Sequence, residues 1–191
     1  MEMELKTLTG TWLETLGTIL NALGITKALP FSLSFRNNCS LWGNVLQATG
    51  NGLSAEEEDF KYRLGLELQS VGNLTIIYGI LLPINHREDL RKFITGNWLQ
   101  TLGTLVCFSH SVVNEKTPHD RVGCLLQAIG NSLQAIAGIE ELKAPIQNLN
   151  MDITDILEFS GSWVQVIGSL MSSLEYTASL NNDELEDKKE K

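Results

Sequence analysis

The chain has 191 residues, with 14 Lys and Arg against 23 Asp and Glu, and its formal net charge is -9. Charged residues make up 19% of the chain, which is below the roughly 25% that is typical of soluble domains. Binding to nucleic-acid phosphates or to anionic lipid depends on clustered Lys and Arg. This balance therefore argues against nucleic acid as a partner.

The ends of the sequence and its cysteines indicate a cellular compartment. The N-terminal segment, Met1 to Leu8, lacks the basic stretch and following apolar run of a secretory signal. Cys39, Cys107 and Cys124 are an odd number without C-x-x-C spacing, which favours buried free thiols over disulfides or a zinc site. We therefore expect a cytoplasmic protein.

Apolar periodicity and helix-breaking residues predict six helices. They run at about Thr7 to Leu23, Ser40 to Ser54, Ala55 to Leu82, Glu88 to Val113, Pro118 to Ile139 and Asp152 to Leu180. Between the first two, residues 28–38 contain the run FSLSF, which favours an ordered loop over a short strand. Ser54 and Glu57 have the spacing of a capping box and predict the start of the third helix, whose dipole the acids of residues 56–59 complement.

The second half of the chain raises the question of a membrane span. Residues Ile94 to Val113 contain no Lys, Arg, Asp or Glu and are long enough to cross a bilayer. Their many Thr, Ser, Asn and Gln side chains argue against a spanning helix. The charged end, residues 183–191, lacks apolar anchors and is predicted to be disordered.

One octapeptide pattern, G-x-x-[LV]-[QE]-x-[LIVT]-G, occurs six times and accounts for most of the glycines. Its copies begin at Gly10, Gly43, Gly65, Gly96, Gly123 and Gly161, and they end at Gly17, Gly50, Gly72, Gly103, Gly130 and Gly168. The fifth position is Glu14 in the first copy and Gln47, Gln69, Gln100, Gln127 and Gln165 in the others. The flanks sort the copies into two series of three, which predicts a tandem duplication of a three-helix unit, with halves of about residues 1–85 and 86–182 and a join near residues 83–92.

A helical projection of the first copy places its glycines in one stripe with Glu14 beside them. The Trp, Leu and Ile positions fall on a broad separate face, which is predicted to pack into an apolar core. Trp12, Trp98 and Trp163 share one position on that face, where core packing is favoured over an interfacial aromatic anchor.

Glycine within a helix costs roughly 1 kcal/mol relative to alanine, so the repeated pairs require a compensating contact. A residue without Cβ lets a neighbouring helix approach closely, and the glutamine beside it then bonds a neighbouring carbonyl or amide. We therefore predict that the twelve glycines and five glutamines of the repeat are helix-packing positions. Turns or helix C-caps are the alternative for the second glycine of each copy.

Residues of catalytic or metal-binding type form no recognisable pattern. His86, His110 and His119 lie in separate segments without partners at ligand spacing, and the sequence contains no nucleotide-binding or nucleophile-elbow motif. Glu14 occupies a position that is otherwise glutamine, which indicates interchangeable hydrogen bonding rather than acid–base catalysis. We expect a protein without enzymatic activity, cofactor or metal.

The polar face of Thr, Ser, Asn and Gln would form a surface with little charge repulsion. This favours a non-enzymatic structural or self-associating protein that forms homo-oligomers. A peripheral membrane or lipid-binding protein is one alternative, although the helices lack basic residues for it. A small-ligand-binding bundle is another, and no particular small molecule is indicated.

The copies of the form G-[TNS]-W-[LV]-[QE]-x-[LI]-G resemble the repeats of an uncharacterised family of repetitive small helical proteins from Bacillus-type Gram-positive bacteria. This resemblance covers the six motif segments and implies no activity. The residue pattern itself predicts an all-α fold, a six-helix repeat bundle forming a single helical domain over residues 1–182, in which the two halves pack through their apolar faces.

Overall fold

The computed structural model describes residues 2–56, 59–114, 116–143 and 151–187. This part of the chain forms six helices: α1 (Glu2–Ile25), α2 (Leu33–Ala55), α3 (Phe60–Leu81), α4 (His86–Val113), α5 (Pro118–Lys143) and α6 (Met151–Asp187). The described residues contain no strand. The predicted all-α class and helical bundle are therefore confirmed.

The six helices form a closed ring. Each helix packs against the next one along the chain, and α1 packs against α6. Contacts are most extensive within three hairpins, α1/α2, α3/α4 and α5/α6. Neighbouring helices run antiparallel, so α1, α3 and α5 begin at one end of the ring, here named the Thr7 end. The opposite end, where these three helices finish, is named the Thr26 end.

Hydroxyl groups join the hairpins to one another. Thr15 Oγ1 and Ser173 Oγ lie 2.7 Å apart across the seam between α1 and α6. Ser70 Oγ of α3 donates to the Ala48 carbonyl of α2 at 3.0 Å. Small polar side chains of this kind join helices where no large apolar core separates them.

Helix α2 begins seven residues earlier than the sequence predicts. Ser32 is its N-cap, and the Ser32 hydroxyl accepts a hydrogen bond from the Phe35 backbone N–H. The Arg36 guanidinium donates to the carbonyls of Gly24 and Leu29 at 3.2 and 2.9 Å, which ties the end of α1 to the start of α2. The predicted ordered loop at FSLSF is therefore wrong, because a cap and an arginine bridge stabilise a helical turn there.

Helix α3 also begins elsewhere than predicted. The Asp59 carboxylate accepts hydrogen bonds from the backbone N–H groups of Lys61 and Tyr62 at 2.9 and 3.2 Å, which makes Asp59 the N-cap. Ser54 instead lies buried in the last turn of α2. The predicted capping box is therefore wrong as a helix start, and its Glu57 lies outside the described residues.

We expect the stability of the protein to fall at acid pH partly because of Asp59. The Tyr62 backbone hydrogen bond, with a further contribution from His110, holds the pKa of Asp59 below its ordinary value of 3.8. A carboxyl with a lowered folded pKa stabilises the fold above its unfolded pKa, and this contribution is lost as pH falls through the folded pKa. Asp59→Asn keeps an acceptor at the helix cap. Below about pH 4, the free energy of unfolding of this variant should therefore fall less steeply than that of the wild type. An equally steep fall in the free energy of unfolding in the variant and the wild type would contradict this expectation.

The predicted join falls at an observed turn, whereas the predicted disordered tail begins within α6, so the prediction of disorder is wrong for residues 183–187. Asn85 caps α4 by accepting from the Glu88 N–H at 3.0 Å, so the predicted join at residues 83–92 spans the turn between α3 and α4. At the C-terminus, α6 continues to Asp187. Residues 188–191 of the predicted tail lie outside the described part of the chain.

The interior of the ring is polar and its outer surface is apolar. Leu16 and Leu102 are each 53% exposed, whereas Gln47 is 2% exposed. The largest fully buried side chains include Gln47, Gln134, Asn51, Asn73, Asn97 and Asn131. The prediction that the apolar faces pack into a core is therefore wrong, because the helices close around the glycine and amide stripe instead.

The tryptophans of the repeat lie on this outer surface. Trp98 is exposed, and Trp12 and Trp163 are half-buried. The indole N–H groups of Trp12 and Trp163 donate to the hydroxyls of Thr177 and Thr26, each at 3.1 Å. Their predicted place in an apolar core is therefore wrong, because they lie on the outer surface of the ring.

Candidate functional site

The twelve glycines of the repeat meet in pairs inside the three hairpins. Gly10 faces Gly50 and Gly17 faces Gly43 across α1 and α2. The pairs in the other hairpins are Gly65 with Gly103, Gly72 with Gly96, Gly123 with Gly168, and Gly130 with Gly161. Each hairpin thus has two contacts seven residues apart, which is about 10 Å along a helix.

These contacts leave no room for a side chain. A Cβ on Gly103 would lie 2.4 Å from the Gly65 carbonyl oxygen, and one on Gly50 would lie 2.4 Å from that of Gly10. All twelve glycines lie within helices. Among these positions none ends a helix, so the alternative of turns or C-caps is wrong.

The glycine contacts follow the hairpins and not the two sequence series. The third helix of the first series, α3, makes its glycine contacts with α4, the first helix of the second series. A packing unit of two helices, repeated three times around the ring, is therefore what the structure contains.

The fifth residue of each repeat points into the ring between the two layers of glycine contacts. Six side chains occupy this position, one on each helix: Glu14, Gln47, Gln69, Gln100, Gln127 and Gln165, here named the amide ring. Every member is buried, and Glu14 is 8% exposed. The repeat thus places five amides and one carboxyl in the buried interior, between the two glycine contacts of each hairpin.

Gln165 connects four helices at the centre of the amide ring. Its Nε2 donates to Gln47 Oε1 at 3.0 Å and lies 3.4 Å from Gln100 Oε1. Gln165 Oε1 accepts from Gln134 Nε2 at 3.0 Å. Gln69 donates to the Gly65 carbonyl in its own helix at 3.4 Å. Buried amide networks of this kind fix the relative positions of helices only when their members are paired.

A cavity of about 60 Å³ lies between the amide ring and the Thr7 end, and all six helices line it. Its polar walls include Glu14, Asp120, Gln69, Gln127, Thr11, Thr104 and Ser172. The apolar and sulfur-containing lining includes Leu66, Cys107 and Cys124. Two carboxyl groups therefore share an enclosed space with amides and hydroxyls.

Several buried polar atoms of the interior have no hydrogen-bond partner among the described residues. They are Gln127 Oε1, Ser172 Oγ, Asn51 Oδ1, Asn73 Oδ1 and both amide atoms of Asn131. Gln127 and Ser172 line the cavity. An unpaired buried polar atom costs about 1–3 kcal/mol, so Gln127 Oε1 and Ser172 Oγ leave unmet hydrogen-bonding capacity beside the cavity.

The three histidines lie apart from one another, each beside a carboxylate. His110 Nε2 contacts the Asp59 carboxylate, while His86 and His119 pair with Glu141 and Glu175 at 3.2 and 3.6 Å. The part of the chain that the structure describes contains no cluster of three His, Cys, Asp or Glu side chains suited to a metal ion. The three cysteines are buried thiols that form no disulfide among the described residues, as the sequence predicts.

Among the described residues, two helices are long and apolar enough to cross a membrane. They are α3, Phe60–Leu81, and α5, Pro118–Lys143. Mean hydropathy averages over all faces of a helix. The exposed apolar side chains are more informative because they occur on all six helices, for example Leu16, Trp42, Leu74, Leu102, Ile129 and Ile167.

Sequence reasoning identified the glycines and glutamines but missed the cavity and the direction of the apolar faces. The signal was present in the residue that follows each glycine. Asn, Thr or Ser occupies that position in ten of twelve cases, for example Asn44, Asn73, Asn97 and Asn131, which are all buried. A polar residue beside the close contact indicates that the glycine face is the inner one.

Comparison with known proteins gives one match. A model for a family of unknown function, DUF6944, matches residues 5–173. Neither the curated proteins nor the solved structures contain a match. Since the matched segment covers well over half of the chain, the protein belongs to DUF6944, an uncharacterised family.

Proposed function

We propose that this chain is a non-enzymatic integral membrane protein, whose six helices cross the bilayer and enclose a polar interior within the hydrocarbon. One observation carries the proposal: buried Gln and Asn side chains fill the centre of the ring, while Leu, Ile, Val and Trp side chains face outward on every helix. A water-soluble domain buries its large apolar side chains, and this arrangement is the reverse.

The distribution of charge supports a bilayer environment. The charge-free stretches are residues 37–55, 68–85, 93–109, 122–139 and 159–174, and α1 carries only Glu14 between Lys6 and Lys27. These stretches are close to the length of about 17 to 25 residues that crosses a hydrocarbon core. In a membrane, charged side chains of helices collect at the ends, where they reach water.

The polar residues that argued against a span from sequence lie on the inner face. In α4, Asn97, Gln100, Thr101 and Thr104 are all buried inside the ring. Polar side chains that face a bundle interior do not meet lipid, so their effect on mean hydropathy does not oppose insertion. The glycine contacts agree with this setting, because small residues at close helix contacts are enriched in membrane bundles.

Membrane fractionation tests the proposal directly. We expect the expressed chain to pellet with membranes, to remain there after alkaline carbonate or high salt, and to be released only by detergent. Peripheral proteins are released by the first two treatments because they lack buried spans. Recovery of the chain in the soluble fraction without detergent would overturn the proposal and favour the cytoplasmic location expected from the sequence.

Self-association is a second candidate, and the apolar outer surface favours it as well. Copies of the chain could bury part of this surface against one another. A standard interface covers only about 800 Å² on each partner, whereas exposed apolar side chains surround the ring on all six helices. We therefore favour lipid over self-association as what covers the apolar outer surface. Light scattering in detergent, corrected for bound detergent, would distinguish a monomer from an oligomer.

The tandem duplication of a three-helix unit and a bacterial origin are further parts of the proposal. The matching flanks of the copies at Gly10 and Gly96 support the duplication. A unit of three helices crosses a membrane an odd number of times, so its second copy would run in the opposite direction. Inverted repeats of this kind are common in membrane proteins that hold sites at the repeat interface.

A further inference from the structure

Glu14 is the one acidic member of the amide ring, and it borders the cavity near the Thr7 end. Within the described residues, no Lys, Arg or His lines this cavity. A buried ionised carboxylate without a counter-charge is strongly disfavoured. The cavity therefore requires either a proton on Glu14 or a bound cation beside it.

The remaining walls supply neutral oxygen ligands. Gln127 is 4% exposed, lines the cavity and has an Oε1 atom without a hydrogen-bond partner among the described atoms. The hydroxyls of Thr11 and Thr104 and the amide of Gln69 border the same space. Carboxylate, carbonyl and hydroxyl oxygens are the ligands of hard cations. The unpaired Gln127 oxygen is the second observation, independent of the carboxyl, that points to a ligand.

The size and charge of the cavity select the kind of cation. About 60 Å³ holds roughly four water-sized spheres, which suits a small ion with a partial water shell. Asp120 lies in the same wall, and its carboxylate accepts a hydrogen bond from Ser111 Oγ. The Ser111 hydroxyl already stabilises the Asp120 carboxylate, so we assign the ion to Glu14, and one such charge matches a monovalent cation.

We propose that Glu14 and Gln127 hold one alkali-metal cation, sodium or potassium, in the cavity between the amide ring and the Thr7 end. This inference deepens the proposed function and rests on it for the exclusion of water from the outer walls. Its ligands come from different helices, Glu14 from α1 and Gln127 from α5. Binding should therefore hold the ring closed.

Thermal unfolding of the detergent-solubilised chain tests the site. A ligand that binds only the folded state raises its stability as its concentration exceeds Kd. We expect NaCl or KCl to raise Tm by several degrees relative to choline chloride at equal ionic strength. No difference between the alkali salts and choline chloride in the wild type would overturn the proposal.

Glu14→Gln is the decisive variant, and it should fold because the other five copies carry glutamine at this position. We expect it to lose the alkali-specific shift in Tm. Glu67→Gln, which neutralises an exposed acid of α3 outside the cavity, should keep the full shift and serves as the matched control. An equal shift in wild type and Glu14→Gln would place the ion elsewhere and overturn the site.

Labelling with the apolar reagent dicyclohexylcarbodiimide separates an ion from a proton. This reagent attacks protonated carboxyl groups, so we expect sodium or potassium to protect Glu14 from labelling when choline at the same pH does not. Labelling that no alkali cation reduces would show a protonated carboxyl and overturn the proposal. Carbonate extraction of the same preparations reports on membrane location separately, so the cation site and the proposed function can fail independently.

Discussion

Gly103→Leu should lower the free energy of unfolding by about 3 kcal/mol or more, since side chains forced into a filled space cost up to that amount even where neighbours adjust. Here the adjustment is difficult, because a Cβ would meet the Gly65 carbonyl oxygen at 2.4 Å and the Gln69 backbone nitrogen at 2.9 Å. Backbone atoms cannot rotate away, so α3 and α4 would have to separate. Equilibrium unfolding in detergent by chemical denaturant measures the loss.

Gly52→Ala is the matched control. Gly52 lies inside α2, yet the nearest atom to its Cβ position is Ser70 Oγ at 4.0 Å. The added methyl group has space there, so the variant should gain up to about 1 kcal/mol from helix propensity. Equal loss of stability in both variants would show that the effect does not depend on close contact. A Gly103→Leu variant as stable as the wild type would exclude close approach at that pair.

Leu102→Asp should lower the free energy of unfolding in a bilayer by about 3 kcal/mol, which is the cost of a charged side chain near the middle of a spanning helix. Leu102 lies next to the Gly103 contact and is 53% exposed on the outer face of α4. On a surface that faces water, the same change would alter stability by only about 0.5 kcal/mol. Unfolding in lipid bicelles, together with the yield of membrane-bound protein, distinguishes the two environments.

The same substitution at Leu33 provides the control. Leu33 is 74% exposed and is the first residue of α2 at the Thr26 end. An aspartate there reaches water and lies at a helix N-terminus, where negative charge is favourable. We expect Leu33→Asp to behave like the wild type. A Leu102→Asp variant that is equally stable, in a chain that stays soluble, would contradict the membrane proposal.

Much of the architecture could be predicted from local patterns. The six helices follow from apolar periodicity, and the repeat identifies the residues that line the contacts and the amide ring. Local sequence patterns, however, do not single out Asp59 and Ser32 as helix caps. Ser54 with Glu57 has the stronger local signature, but the contact of Ser54 with α1 keeps α2 helical through Ala55. Tertiary packing decided that boundary.

The direction of the apolar faces could not be predicted, because amphipathicity alone does not state which face is buried. A helix with one polar and one apolar face fits a soluble bundle with leucines inside and a membrane bundle with amides inside. The low charge of the polar face, such as Asn97 and Gln100 in α4, was the available signal. This low charge fits a weakly repelling surface as well as a buried interior, and the structure shows the interior.

The hydroxyl-bonded seam between α1 and α6 bears on the order in which the protein assembles. Each hairpin consists of neighbouring helices and can form its glycine contacts as soon as both have left the ribosome. The seam joins α1 to α6 through Thr15 with Ser173 and Thr18 with Ser169, so it closes only after α6 has been synthesised. Until then the ring is open on one side, and the polar interior of the first two hairpins is uncovered there.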